Sequence, residues 1–171
     1  MTMNAPTLQT GRLTLRPMRA GDFPAYAALM AGPRAVHMGG PFDTAAAWGM
    51  FCHDAGCWAL FGHGALMMDL RETGQTVGQV GLNAGPLYPE TELGWMVHDG
   101  HEGQGYATEG AARLRDWAFD TLPLDSLVSY ADPANSASHA VARRLGAVED
   151  ATAPRQAPED IVFRHHRGAA A

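Results

Sequence analysis

Between Glu92 and Gly110 a residue pattern of period two gives way to one of period three to four. In ELGWMVHDG, Leu93, Trp95 and Val97 share one face, and Glu92, Gly94, Met96 and His98 share the other. This predicts a central strand. HEGQGYATEG follows at once, with glycines at 103 and 105, a small residue at 107 and helix formers beyond. Ala107, Ala111, Leu114 and Ala118 then recur at helical spacing. A strand that ends in Gly-x-Gly-x-Ala and opens a helix exposes unpaired backbone N–H groups at the positive end of the helix dipole. Its glycines let a ligand approach the backbone. Such a turn suits a phosphate held without side-chain charge. On this stretch alone, a tight turn that binds nothing is an equal alternative.

The rest of the chain restricts the sheet around that strand. RLTLRPM (12–18) alternates as a first strand. AGDFPAYAALMAG reads as a helix with Asp22 as cap, Pro24 in its first turn and Gly32 at its end. DTAAAWGMFCHDAG (43–56) reads as a second, capped by Asp43, with the loop PRAVHMGGP between them. GALMMDLRETGQTVGQVGL predicts a hairpin of strands 64–70 and 76–82 around a turn at Glu72–Gly74. SLVSY (126–130) is a short strand. DPANSASHAVARRLG is a helix capped by Asn135, with an apolar stripe at Ala137, Ala140, Val141 and Leu145 and Gly146 just past its end. AVED and IVFRHHR supply two last strands. Consecutive hairpin strands therefore precede one β-α-β crossover. That order predicts an α+β protein with a mixed sheet of about seven strands, a single domain over 1–171, and not a doubly wound fold.

Composition excludes several functions. A net charge of −6 gives no basic face for nucleic acid. All twelve basic residues are arginine, so a lysine Schiff base and a Walker-type phosphate loop are both ruled out. No apolar run reaches the ~18–20 residues of a membrane span. MTMNAPTLQTGRL lacks the basic start and apolar stretch of a secretory leader, so no membrane partner and a cytoplasmic location are expected. Cys52, His53, Cys57 and His63 match no common zinc spacing. Cysteines buried as small apolar residues are the better reading, and no metal is expected. A dinucleotide site is disfavoured because Thr108 stands where its third glycine belongs and the motif follows antiparallel strands.

Several stretches together resemble one family. EGQGYATEG is similar to the pyrophosphate loop of the GCN5-related N-acetyltransferases (GNAT), Arg/Gln-x-x-Gly-x-Gly/Ala, with Glu102 at its head and Ala107 at its end. NSASHAVARRLGA resembles the family's next motif. RLTLRPMRAGDFPAYAALMA, TGQTVGQVGL and ELGWMV resemble its ribosomal-protein-alanine N-acetyltransferase (RimJ/RimL-type) branch. The resemblance implies a mostly antiparallel twisted sheet with helices on both faces. Strands ELGWMV and SLVSY would splay around the pantetheine arm of acetyl-CoA, the co-substrate, and a bulge near Gly94–Met96 would suit the splaying. Met96 and Val97 would contact pantetheine. The amides of Gly103, Gln104, Gly105, Tyr106, Ala107 and Thr108 would cradle the pyrophosphate, and Asn135 and Ser138 would face the coenzyme.

The implied reaction is direct attack of a neutral primary amine on the thioester in a ternary complex. It needs a base, an oxyanion donor and a proton for the thiolate. Glu92 is the candidate base, directly or through water, and the Val97 N–H the oxyanion donor. Where many members carry an acidic tyrosine, this chain has Ala142, and no tyrosine follows Tyr130. Ser138 is therefore the candidate proton donor, with solvent as the fallback. Asn135 and Ser138 also suit a helix cap. Glu102 departs from the family's Arg or Gln, and a carboxylate beside a pyrophosphate is unfavourable unless it points to solvent. His98 sits where it could touch the acceptor. His165 and His166 read as solvated or edge residues. His37, Met38 and Trp48 lie near the expected acceptor site, Trp48 chiefly for packing. The acceptor would be a peptide or protein N-terminus, a polyamine, an amino acid or an antibiotic, with cationic ones favoured by charge. The alternative is a catalytically weak acyl-CoA-binding regulatory domain. Homodimers are common in the branch, but nothing in the pattern fixes the oligomeric state.

Overall fold

The computed structural model describes residues 5–168. The ends of the 1–171 span, and the first four residues of the stretch read for a leader, lie outside the described residues. Among the described residues eight strands form one sheet: β1 (Leu8–Gln9), β2 (Leu13–Pro17), β3 (Ala65–Leu70), β4 (Thr76–Asn83), β5 (Glu92–Val97), β6 (Ser126–Ala131), β7 (Val148–Glu149) and β8 (Ile161–His166). Their spatial order is β1-β2-β3-β4-β5-β6-β8-β7. Only β5 and β6 run parallel among the described strands; the other neighbours are antiparallel. The expected seven become eight because β1 is two residues long, too short to show an alternation.

Four α-helices among the described residues connect the strands: α1 (Phe23–Ala31), α2 (Thr44–Phe61), α3 (Tyr106–Thr121) and α4 (Ser136–Arg144). Ala107, Ala111, Leu114 and Ala118 of α3 bury against Val80, Leu82, Leu93 and Val97 on one face of the sheet. On the other face, Tyr26 and Met30 of α1 meet Ala47 and Phe51 of α2, with Met96 packed against them. Each buried Val, Leu, Met or Phe among these contributes about 1.5–3 kcal/mol relative to exposure. The alternation read in ELGWMV is thus the division between two cores.

Three local expectations change. Asp22 does not cap α1: its carboxylate accepts from Arg16 at 2.7 and 2.9 Å and from the Arg19 amide at 2.7 Å. Asp43 does cap α2, accepting from the Ala46 amide at 2.8 Å, but the helix continues past Gly56 to Phe61. The buried stripe of Phe51, Asp54, Cys57 and Trp58 carries it there, and Gly62 ends it with φ +73°. The bulge expected near Gly94–Met96 is not in the β4–β5 pairing, whose register is unbroken from Gly78↔Val97 to Asn83↔Glu92. Gly78 permits this closeness, since a Cβ there would collide with the Met96 carbonyl. The pairing shifts instead between β3 and β4, at Met68/Asp69.

Candidate active site

β5 and β6 share a single pair, Glu92↔Val128. Just beyond it, the Ser129 hydroxyl donates to the Leu93 carbonyl at 2.6 Å. His165 Nε2 lies 2.9 Å from that hydroxyl, and with the hydroxyl proton committed to Leu93 the ring nitrogen donates. His165 is 1% exposed, which corrects its reading as a solvated or edge residue. β8 lies between β6 and β7, and His165, paired with Leu127 of β6, turns its ring inward to Ser129. Burial pushes the His165 ring down to about 4, so it stays neutral. This contact closes the floor of a gap that widens toward Val97.

The direction of the β5 amides follows from its pairing. The His98 amide donates to the Val77 carbonyl at 2.8 Å. By the two-residue alternation of an antiparallel ladder, Gly94 and Met96 also turn their backbone to β4. The amides of Leu93, Trp95 and Val97 therefore turn toward β6 and the gap. Across its mouth lies a short 3₁₀ turn, Pro33–Met38. Arg34 of this turn donates to the Val97 carbonyl at 2.8 Å, and His37 Nδ1 lies 2.8 Å from Asp132, just past β6. The stretch read as a plain loop thus ties the two splayed strands together.

Beyond β5 the glycine turn takes the expected form. Gly103 and Gly105 have φ of +71° and +82°, which other residues rarely adopt. None of the amides from Gly103 to Thr108 donates to another described residue; the first bond of α3 is Glu109 N–H to Gly105 at 3.0 Å. The Thr108 hydroxyl is buried without a partner. A row of free donors at a helix N-terminus fits a pyrophosphate. Acidic side chains are drawn aside. Glu109 binds Arg12 at 2.7 Å, and Arg12 in turn donates to the Gln104 carbonyl at 2.9 Å and lies over the Tyr106 ring. Glu102 accepts from the Gly100 amide at 2.6 Å and meets Arg34 at 3.2 Å. Hydrogen bonds from backbone amides, with Arg34 nearby, hold its carboxyl below the usual range.

At the other end of β5 the chemistry is reversed. Glu92 is half-buried, and desolvation lifts its carboxyl to about 7. Asn83 donates to it at 2.9 Å. On the same face of β4, Gln79 donates at 2.7 Å to Asp54 of α2, which also accepts from Tyr26 at 3.3 Å. His53 Nδ1 lies 3.3 Å from the other Asp54 oxygen, and the His53 ring stacks on Tyr88. Burial, and then the charge of Glu92, push the Tyr88 hydroxyl upward. The loop carrying Tyr88 is fixed at Glu90, which is paired with Arg164 at 2.7 and 2.9 Å. The sequence reading missed Asp54, Gln79, Asn83, Arg12 and Arg34. The one available signal was a lone carboxylate, Asp54, within an otherwise apolar helical run.

The remaining candidates are distributed as follows. Asn135 accepts from the Ser138 amide at 3.1 Å, which is the expected cap, and the Ser138 side chain is half-buried. Ala142 is buried against Ala131, Ala147 and Phe163. His98 has a buried, unpartnered Nε2, and desolvation lowers its pKa. Trp48 is 46% exposed and packs on Phe23 and Phe51. Cys52 is exposed, Cys57 is buried, and His63 turns to the Leu82 carbonyl, so the four residues weighed for zinc do not converge.

The sequence pattern of the acetyltransferase (GNAT) domain family matches residues 12–148. A crystal structure of an acetyltransferase from Agrobacterium tumefaciens str. C58 is 57% identical, with 98% of both chains covered and a TM-score of 0.94. RimJ of Mycobacterium smegmatis, solved in complex with CoA-disulfide, is 20% identical over 91% of this chain and 82% of its own, with a TM-score of 0.68, a likeness of fold alone. The uncharacterized protein YkkB of Bacillus subtilis (strain 168) is 33% identical over 78 residues, 44% of this chain and 45% of that protein. The chain thus matches less than half the length of that curated relative.

Proposed function

Since the chain belongs to the acetyltransferase (GNAT) family, we propose that it moves an acetyl group from acetyl-CoA to a primary amine. The observation that carries this reading is the gap between β5 and β6, with free amides at its mouth and a carboxyl of raised pKa near its floor. The amides from Gly103 to Thr108 take the pyrophosphate, and the pantetheine arm runs down the gap beside β5. The Val97 amide is the expected oxyanion donor. Trp95 turns its amide the same way, two residues deeper, so the closed floor favours Trp95 for the thioester carbonyl and Val97 for the pantetheine. Met96 would contribute its side chain, its backbone being turned to β4.

Glu92, ionised, takes a proton from the substrate ammonium, directly or through water. The freed amine attacks the carbonyl carbon, a C–N bond forms and the C–S bond breaks. A proton passes to the thiolate from water, directly or relayed through the Ser138 hydroxyl, which regains its own proton from solvent, and the product amide and Glu92 release theirs to solvent. A general base of this kind contributes about 10²–10⁴-fold and an oxyanion donor about 10²–10³-fold. Within the family, the resemblance of the first strand and helix supports the RimJ/RimL-type branch, and a cytoplasmic location is part of the same reading. Homodimerisation belongs to the same proposal.

The test is thiol release from acetyl-CoA against a panel of amines, with Glu92→Ala as control. Release that depends on both the amine and Glu92 supports the transferase. The buried Ala142 in place of a tyrosine favours one other reading, an acyl-CoA-binding regulatory domain. Acetyl-CoA binding without release for any amine would select it.

A further inference from the structure

Gln79, Gly81 and Asn83 of β4 face the α1–α2 side of the sheet, opposite Met96, Gly94 and Glu92 of β5. The central Gly81↔Gly94 pair puts no side chain on that face, leaving a strip between two polar stations. One station is Glu92 with Asn83; the other is Asp54 with Gln79. Asp54 and Gln79 are 8% and 4% exposed, whereas Glu92, Gly94 and Met96 are partly open to solvent.

Each station has an orphan. A carboxylate only accepts, so the amide nitrogens of Gln79 and Asn83 must point at Asp54 and Glu92. Their oxygens then point elsewhere, and both Gln79 Oε1 and Asn83 Oδ1 are buried without a partner. An unsatisfied buried acceptor costs about 1–3 kcal/mol. Asp54 already has Gln79, Tyr26 and His53 as partners, so the call for donors carrying positive charge comes from Glu92 and the two orphaned carbonyls. The arginine ion pairs among the described residues lie elsewhere, and His53 is the one group here able to become cationic. Glu92 folds back over Gly94, its Oε2 3.7 Å from where a Cβ would stand. Gly94 lies opposite Gly81, two residues from Gln79, so the stations are about 7 Å apart at the rise of a strand.

We propose that the acceptor is a short aliphatic diamine, with its reacting nitrogen at Glu92–Asn83 and its second ammonium anchored by Asp54 and Gln79. The assignment of reacting and anchored ends rests on the transferase reading above. Binding of two cations at one strip does not.

The experiment is calorimetric titration of the protein, with coenzyme A present, using putrescine and butylamine, and thiol release measured in parallel. Putrescine is expected to bind at least about tenfold more tightly, a difference of about 1.4 kcal/mol. Asp54→Asn, which keeps the shape of the side chain, should collapse that ratio toward one, and Gln79→Met should reduce it. Equal binding of the two amines by the wild-type protein overturns the proposal without needing either variant. An unchanged ratio in a folded Asp54→Asn overturns it as well. Thiol release with no diamine preference leaves the transferase reading standing and removes this one. Tight diamine binding without thiol release keeps the two-station site and removes the transferase.

Discussion

The two ends of β5 meet opposite kinds of charge by different means. At the C-terminal end, from Gly103 to Thr108, the free groups are donors and belong to the backbone, while nearby acidic side chains are held aside by Arg12 and Arg34. Along the α1–α2 face, from Glu92 at the N-terminal end inward, the groups presented are acceptors and belong to side chains: Glu92 with the unpartnered Asn83 oxygen, and the unpartnered oxygen of Gln79, which is bonded to Asp54. One strand thus joins a site suited to an anion and a site suited to a cation, with the gap between β5 and β6 running from one to the other. The lesson is that a backbone site is written in local sequence, whereas a side-chain site is written in which elements pack together.

Mutations at the two ends should separate accordingly. Glu92→Gln keeps the bond from Asn83 but removes the proposed base, and should lower kcat/KM for the amine by about 10²-fold or more, while acetyl-CoA affinity by calorimetry stays near the wild-type value. Next in size is Ser138→Ala, expected to lower kcat by about tenfold at saturating acetyl-CoA; full turnover would hand that role to water. At the opposite end, Gly105→Val forces a branched residue into φ +82° beside Arg12 and should weaken coenzyme binding by roughly tenfold, from a backbone cost of about 1–2 kcal/mol. Asn135→Ala removes a cap and should cost about 1 kcal/mol in chemical denaturation. Smallest is Glu102→Gln. Arg34 and the Gly100 amide already restrain that carboxylate, so coenzyme affinity should change by less than about threefold.

The sequence reading follows the same division. The strand at 92–97, the glycine turn, the Asn135 cap and the order of the major elements were all legible, because each depends on residues within a few positions of one another. What sequence could not show was made by distant pairing. Arg34 reaches Glu102, Arg12 reaches the glycine turn, and Asp54 meets Gln79 only once α2 lies on the sheet. His165 reads as a strand-end residue until its ring is found turned inward onto Ser129 of β6. The bulge expected near Gly94–Met96 failed for a similar reason. Splaying needs only that β5 and β6 stop pairing after Glu92↔Val128, and no irregularity on the β4 side is required.

The most direct measurement is the pH dependence of kcat/KM for a reactive amine, taken for the wild type and for Glu92→Gln. A base acts ionised, and burial raises Glu92 from 4.5 to about 7, so activity should climb through a limb near pH 7 and not near the ordinary carboxylate value. The variant should lose that limb together with most of its activity. A Glu92→Gln protein with full turnover and an unchanged limb would contradict Glu92 as the base and, with it, the catalytic account of this end of β5.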